Sequence, residues 1–429
     1  MPAPRAKIPL FIRLRKALLV LAVVFIVALF GLYRLGRQGL TQPEVAEPET
    51  LEPGEAETTT RSKGFDYTQY QDERRVFRVR GATYRADKEG LAHLEDVNIE
   101  LFRADGESYQ AISQRATYDQ AASSAVLEGS VQLAGPDDLK LWTEKLSVGE
   151  EGDRVSSSVP VRFEYQDALV GDAERMRVEI PAELFLLQGN LSIRTKPGSP
   201  TPMELRADRG FLEQQERMLR AEGDVRLDHG ADWLQCTRLS LYLAEDADVL
   251  RFVRAKWAVE GEVAGAGGEG PRTPVAFTAS GLSGLFSSDG KQLTRLELEG
   301  GAGQPADLRT RDLATGHLRR VTANFLNADL GGGGVEGAQA SGQVRIAEYA
   351  GAEPTGELVR EGRAERAKAT LGASGSLSQV DLDGAVDFRE AAVRITSNQA
   401  QLDLDAGKAD FVGGPVQVVG DRGELKAPR

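Results

Sequence analysis

Five stretches of the chain share one pattern: LEGSVQL (127–133), LQGNLSI (187–193), AEGDVRL (221–227), ASGQVRI (340–346) and LDGAVDF (382–388). In the first, Leu127, Gly129, Val131 and Leu133 fall on one side, and Glu128, Ser130 and Gln132 on the other. Alternation at period two marks a β-strand with one dry and one wet face. Leu187, Leu191 and Ile193 in the second stretch, and Val225 and Leu227 in the third, hold the same dry places. The glycine of each stretch (Gly129, Gly189, Gly223, Gly342 and Gly384) also stands on the dry side. A glycine inside a strand weakens it and usually marks a bulge, a bend or the close approach of another group.

Relatives of the pattern extend it in both directions. VEGEV (259–263), LEG (298–300) and VGGPVQV (412–418) keep the phase, and SSVPVRF (157–163) keeps it without a glycine. The centres fall at 129, 159, 189, 223, 261, 300, 342, 384 and 414, in steps of 30 to 42 residues. A second strand precedes each, as in RATYDQA from 115, RLSLYLA from 238 and QAQLDLD from 399. One repeat is therefore two strands and two turns, the unit of a stacked β array. No segment beyond residue 40 sustains a helical period, so residues 65–429 are expected to be all-β. Propeller blade signatures are missing, and aromatic residues make up only 6% of the chain. A thin interior of Leu, Val and Ala suits an elongated open stack better than a closed sandwich or propeller.

The N-terminus differs from the rest. Arg5, Lys7, Arg13, Arg15, Lys16, Arg34 and Arg37 give the first 40 residues a charge of +7 with no acid, against −13 for the whole chain. Between Lys16 and Arg34 lies ALLVLAVVFIVALFGLY, which as a helix spans about 25 Å, the short end of a membrane crossing. Basic residues are denser before it than after it, which places the N-terminus in the cytoplasm and the bulk of the chain across the membrane. No small-x-small cleavage site follows, so an uncleaved anchor is expected rather than a signal peptide. Residues 41–64 hold three prolines and six glutamates and read as a solvated, extended linker. The expected organisation is a cytoplasmic stub (1–16), a transmembrane anchor (17–35), an acidic linker (36–64) and two β regions, 65–198 and 199–429. KPGSPTP (196–202) is the candidate boundary between them, and GEVAGAGGEGPRTP (261–274) a second break.

Composition also excludes chemistry. A strongly acidic body repels nucleic acid. The single cysteine, Cys236, permits no internal disulfide or thiolate cluster and reads as a small buried residue. His93, His229 and His317 share no motif, and HExxH, GxSxG, GxxxxGK[ST] and CxxC are missing. GGGG (331–334) has no helix after it and reads as a hairpin turn. Neither catalysis nor a cofactor is expected. Two readings of the dry face stay open: ordinary core, or an apolar groove for an acyl chain, whose passage through water costs about 0.8 kcal/mol per CH₂.

The stretch from FDYTQYQ at 65 to LEGSVQL at 133, with RATYDQAASSAVLEGSVQL (115–133) as its repeat, resembles the LptC family, membrane-anchored periplasmic components of the lipopolysaccharide exporter. The likeness covers roughly 65–195, and residues 203–429 resemble OstA/LptA-like repeats. It implies an elongated β-jellyroll or "β-taco", two facing antiparallel sheets around a lipid groove, after one transmembrane helix. It implies an inner-membrane, single-pass location with most of the chain in the periplasm. It implies lipopolysaccharide in a groove lined by Leu127, Val131, Leu133, Leu187, Leu191, Ile193, Val225 and Leu227. It implies docking to the exporter's transmembrane subunits through the N-terminal β edge, about 65–80, and to an LptA-like bridge through the C-terminal edge. The chain departs from a minimal member, which would stop near residue 200, in continuing for some 230 residues. Two rival readings are a β-solenoid whose dry face is core and an assembly scaffold that pairs edge to edge without lipid.

Overall fold

The computed structural model describes residues 58–427, apart from 72–73, 89, 104–105, 137, 150–152, 166–168, 199–201, 214–215, 245–249, 264–273, 291, 313–314, 332–333, 372–376, 404–405 and 421–422. The expected stub, the anchor and most of the linker lie outside the described residues. What is described is antiparallel β-structure throughout. The first strands are β1 (Thr58–Gln71), β2 (Arg74–Asp87), β3 (Leu91–Phe102), β4 (Ser108–Asp119), β5 (Ser124–Ala134) and β6 (Lys140–Val148). Four short strands follow: β7 (Arg154–Ser157), β8 (Val161–Tyr165), β9 (Leu169–Ala173) and β10 (Arg175–Glu179). Then come β11 (Leu184–Thr195), β12 (Met203–Glu213), β13 (Met218–His229), β14 (Asp232–Leu243), β15 (Leu250–Val263) and β16 (Val275–Phe286). They continue as β17 (Leu293–Glu299), β18 (Ala306–Arg311), β19 (Leu318–Ala323), β20 (Phe325–Gly331), β21 (Gly334–Tyr349) and β22 (Leu358–Leu371). The last are β23 (Leu377–Glu390), β24 (Val393–Asp403), β25 (Lys408–Val412), β26 (Val416–Gly420) and β27 (Gly423–Ala427).

These strands form two compact units, one ending at Val131 and one holding Gln132–Gly149 and all from Asp153 onward. In the first, β1, β2, β3 and β4 pair in sequence. Pairing begins at Thr58, earlier than the expected start near Phe65. The core is aromatic in part: Tyr118 lies 5.7 Å from Tyr67 and 5.9 Å from Phe77 between ring centroids, and Val79, Ile99 and Leu101 are buried as well.

In the second unit each long strand takes part in two ladders that meet at a corner. β11 pairs with β10 before Gly189 and with β9 after it. β16 divides likewise between β17 and β18, and β24 between β25 and β26. Where the strand runs on, the corner is a bulge with one inserted residue. Glu222 pairs with Arg238 but Val225 with Cys236, so Gly223 and Asp224 oppose a single residue. A bulge at this place lets one strand turn from one ladder into the next. It also preserves the dry face. Leu187 and Leu191, Ala340 and Val344, and Leu382 and Val386 stand four apart across their corners, and all are buried.

Inward positions consequently join from strand to strand. In the second ladder a row passes from Leu141 through Phe163, Gly171, Ile193, Leu205 and Leu227 to Leu234. It continues by Gly261, Phe277, Leu308, Val321 and Ile346, then by Gly362, Phe388, Ile395 and Val418 to Leu425. A parallel row in the first ladder runs from Leu187 through Ala221, Leu239, Ala255 and Leu282 to Phe411. Strand pairing runs unbroken from β11 to β12 across residues 196–202.

Candidate functional site

The eight apolar residues expected on the dry face are all buried. Leu127 and Val131 are 0% exposed in the first unit; in the second, Leu133, Leu187, Leu191, Ile193, Val225 and Leu227 range from 0 to 9%. The second ladder brings Ile193 and Leu227 together through Leu205, which pairs with both. Leu191 stands across from Ala207, and Val225 across from Cys236.

The five glycines have a backbone reason. Gly129, Gly189, Gly223, Gly342 and Gly384 have φ between 75° and 82°, and each is followed by a second residue of positive φ (Ser130, Asn190, Asp224, Gln343 and Ala385). Two consecutive left-handed residues make the corner, and the first is almost strain-free only for glycine. At Gly223 a Cβ would also run into the Asp208 carboxylate. The sequence pattern that puts a centre at Gly261 misplaces one corner. Gly261 sits in regular pairing between Leu234 and Phe277, and the bulge of β15 is Trp257–Ala258.

An apolar cavity of about 90 Å³ lies farther along the second unit. The first ladder contributes Ala338, Ala369, Val380 and Leu402 to its walls, and the second contributes Leu308, Val321, Ile346 and Phe388. The two ladders therefore face one another here. The signal for it in the sequence is side-chain size. Ala328, Ala338, Ala340, Ala367 and Ala369 occupy inward places of β20–β22, where β11–β13 carry Phe185, Leu187, Leu212 and Leu219. The charged Arg319, Glu348 and Arg360 also line the cavity. Glu348, only 8% exposed, lies 2.9 Å from Arg360 Nε and 3.0 Å from His317 Nδ1, while Arg319 pairs with Asp312.

Elsewhere, buried carboxylates are each held by two arginines. At Glu222 both come from neighbouring strands; at Asp307 and Glu361 one does, and the other stands two residues along the same strand. Glu222 lies 2.8 Å from Arg209 and 2.9 Å from Arg238, and Asp307 is 3.0 Å from Arg309 and 2.8 Å from Arg320. Glu361 bridges Arg345 and Arg363. Burial alone would raise the Glu361 pKa, but hydrogen bonds from Arg345 and Arg363 hold it below the ordinary carboxylate value. Cys236 is buried, and desolvation pushes its thiol up to about 12. No group of three His, Cys, Asp or Glu placed to hold a metal occurs among the described residues.

Both chain-terminal strands have one strand neighbour among the described residues: β1 pairs with β2, and β27 with β26. Of the stretch 65–80, the open edge belongs to β1, because β2 lies between β1 and β3. At the other end the inward row loses its cover, from buried at Phe388 to half-buried at Ile395 and Val418 and 65% exposed at Leu425. Val412 and Val419 are exposed beside it.

Residues 19–196 match the family described as lipopolysaccharide-assembly, LptC-related. No curated protein matches the chain.

Proposed function

From the match of residues 19–196 to the lipopolysaccharide-assembly, LptC-related family, we propose that the chain is a membrane-anchored bridge for lipopolysaccharide. In this reading residues 17–35 cross the inner membrane and the β-structure stands in the periplasm as a jellyroll of the taco kind. Lipopolysaccharide arrives from the exporter's transmembrane subunits, which dock on the open edge of β1, and leaves through the edge of β27 to an LptA-like partner. An unpaired strand edge is a ready template for a second β protein, and the exposed Leu425, Val419 and Val412 add apolar area to that contact. Residues 65–198 act as the receiving domain and 199–429 as added bridge, the acyl chains lying along Leu127, Val131, Leu133, Leu187, Leu191, Ile193, Val225 and Leu227 and onward.

The observation that carries this reading is the unbroken inward row from Leu141 to Leu425. An acyl chain in transit needs apolar contact at every step, and a single polar interruption would raise a barrier. A second reading, an edge-pairing scaffold without lipid, is favoured by the tight packing of the same eight residues. Photo-crosslinking in cells separates the two, with a photoreactive residue at Leu191 and, as control, at Ser192 on the other face. Lipopolysaccharide captured at 191 and not at 192 supports the bridge. Capture at neither position, in a folded and membrane-bound protein, leaves the scaffold.

A further inference from the structure

The β15 corner breaks the rule kept by its neighbours. Where β11, β13, β21 and β23 place glycine, β15 places Trp257, with φ of 62°, followed by Ala258 with φ of 50°. A bulky residue in the left-handed region is a genuine outlier, and such strain persists where the surroundings enforce it, often at binding sites. The indole is not there to fill core, being 51% exposed. It is held in position by the guanidinium of Arg238, 4.8 Å from its ring centroid, which is itself fixed 2.9 Å from Glu222.

Trp257 borders a trough of about 940 Å³ over the outward face of β15–β17 and β20–β23, a volume suited to a sizeable ligand. Small residues, among them Gly281, Ser283 and Ser341, lie along it, and a second exposed aromatic, Phe325, stands within it at 56% exposure. Its charges cancel. Arg254, Lys256, Arg366 and Lys368 stand against Glu297, Glu299, Asp381 and Asp383, with Lys368 across from Asp381 and Arg366 paired with Asp383. A polyanion or polycation finds no field of one sign here. A peptide adding as a strand needs a free edge, whereas strands β16, β17 and β20–β22 of this face are paired on both sides. Two aromatic planes, the amides of Asn327 and Gln339 and several hydroxyls remain, an array of flat apolar surface and neutral donors and acceptors.

We infer that this trough binds a neutral oligosaccharide, with Trp257 and Phe325 against the sugar faces and the amides and carboxylates on its hydroxyls. The inference is independent of the lipid reading, which concerns the opposite face of the same strands.

The test uses the full chain, purified in a detergent with no sugar headgroup, titrated calorimetrically with cellotetraose, maltotetraose and chitotetraose. At least one should bind with a Kd below about 10 mM. Trp257→Gly should weaken that binding at least about tenfold, while its melting temperature equals or exceeds the wild type, because glycine relieves the left-handed strain. Phe325→Ala, at an exposed position, should weaken binding in a protein that stays folded whatever Trp257→Gly does. Failure of all three sugars to bind, or undiminished binding by Trp257→Gly and Phe325→Ala, overturns the assignment.

Discussion

Filling the cavity between the ladders should stabilise the protein and impair it at once. Ala369 lines that cavity, paired with Ala338 on one side and Val380 on the other. An empty space of about 90 Å³ costs about 2 kcal/mol at roughly 24 cal/mol per Å³. Ala369→Leu brings in three more carbons, worth about 2.4 kcal/mol of burial at about 0.8 kcal/mol per carbon. Ordering the leucine side chain takes back about 0.5–1 kcal/mol, which leaves a net gain of about 1.5 kcal/mol. At about 2–4 °C per kcal/mol for domains of this size class, the melting temperature should rise by a few degrees. An acyl chain competing for the same space would be displaced, so capture of lipopolysaccharide by a photoreactive residue at Leu402, on the same cavity wall, should fall. Ordinary core predicts the first effect without the second. A stabilised Ala369→Leu protein with undiminished capture refutes the reasoning, and so does a protein destabilised by overpacking, since the space would then be too small to hold a guest.

Gly223→Ala combines a left-handed φ of 76° with a clash against Asp208 and should cost about 1–3 kcal/mol in urea denaturation; part should return in Asp208→Ala/Gly223→Ala. Cys236, buried with its thiol pKa raised to about 12, should resist a disulfide-exchange reagent at pH 8 until the chain is unfolded. Glu361 and Asp387 both have lowered folded pKa values: burial opposes the shift, and Arg345 with Arg363, or Arg394 with Arg389, outweighs it. Their contribution is complete above the unfolded values near 4 and is lost as pH falls through the lower folded values, so the urea midpoint should drop below about pH 4. Glu361→Gln should flatten that acid limb, and an unchanged limb would remove Glu361 from the account.

Alternation alone located the apolar strands, since Leu127, Leu187, Leu191 and Val225 are buried where period two put them. The glycines announced that something happens at the middle of each strand, and only φ shows that it is a corner. Trp257–Ala258 stayed hidden because its corner uses no glycine, and the nearby VEGEV offered a false one at Gly261. The arginine-bridged acids could not be read either. Glu361 meets Arg345 sixteen residues away, and which residues oppose one another depends on the inserted residue at each corner. The cavity was written only as a change from leucine to alanine at inward positions, which becomes meaningful once the pairing rows are known.

The corner also governs how such a molecule can change length. Because each inserted residue keeps inside and outside in phase across a strand, a whole hairpin can be added or removed without disturbing the parity of the rest, whereas a single-residue deletion within a rung would turn its dry side outward. Each hairpin contributes two strand spacings, roughly 10 Å measured along the row. The length of the inward row in the second unit is thus a graduated quantity, like the marks on a ruler, lengthened or trimmed by duplicating or losing intact hairpins while the local rules of packing stay the same.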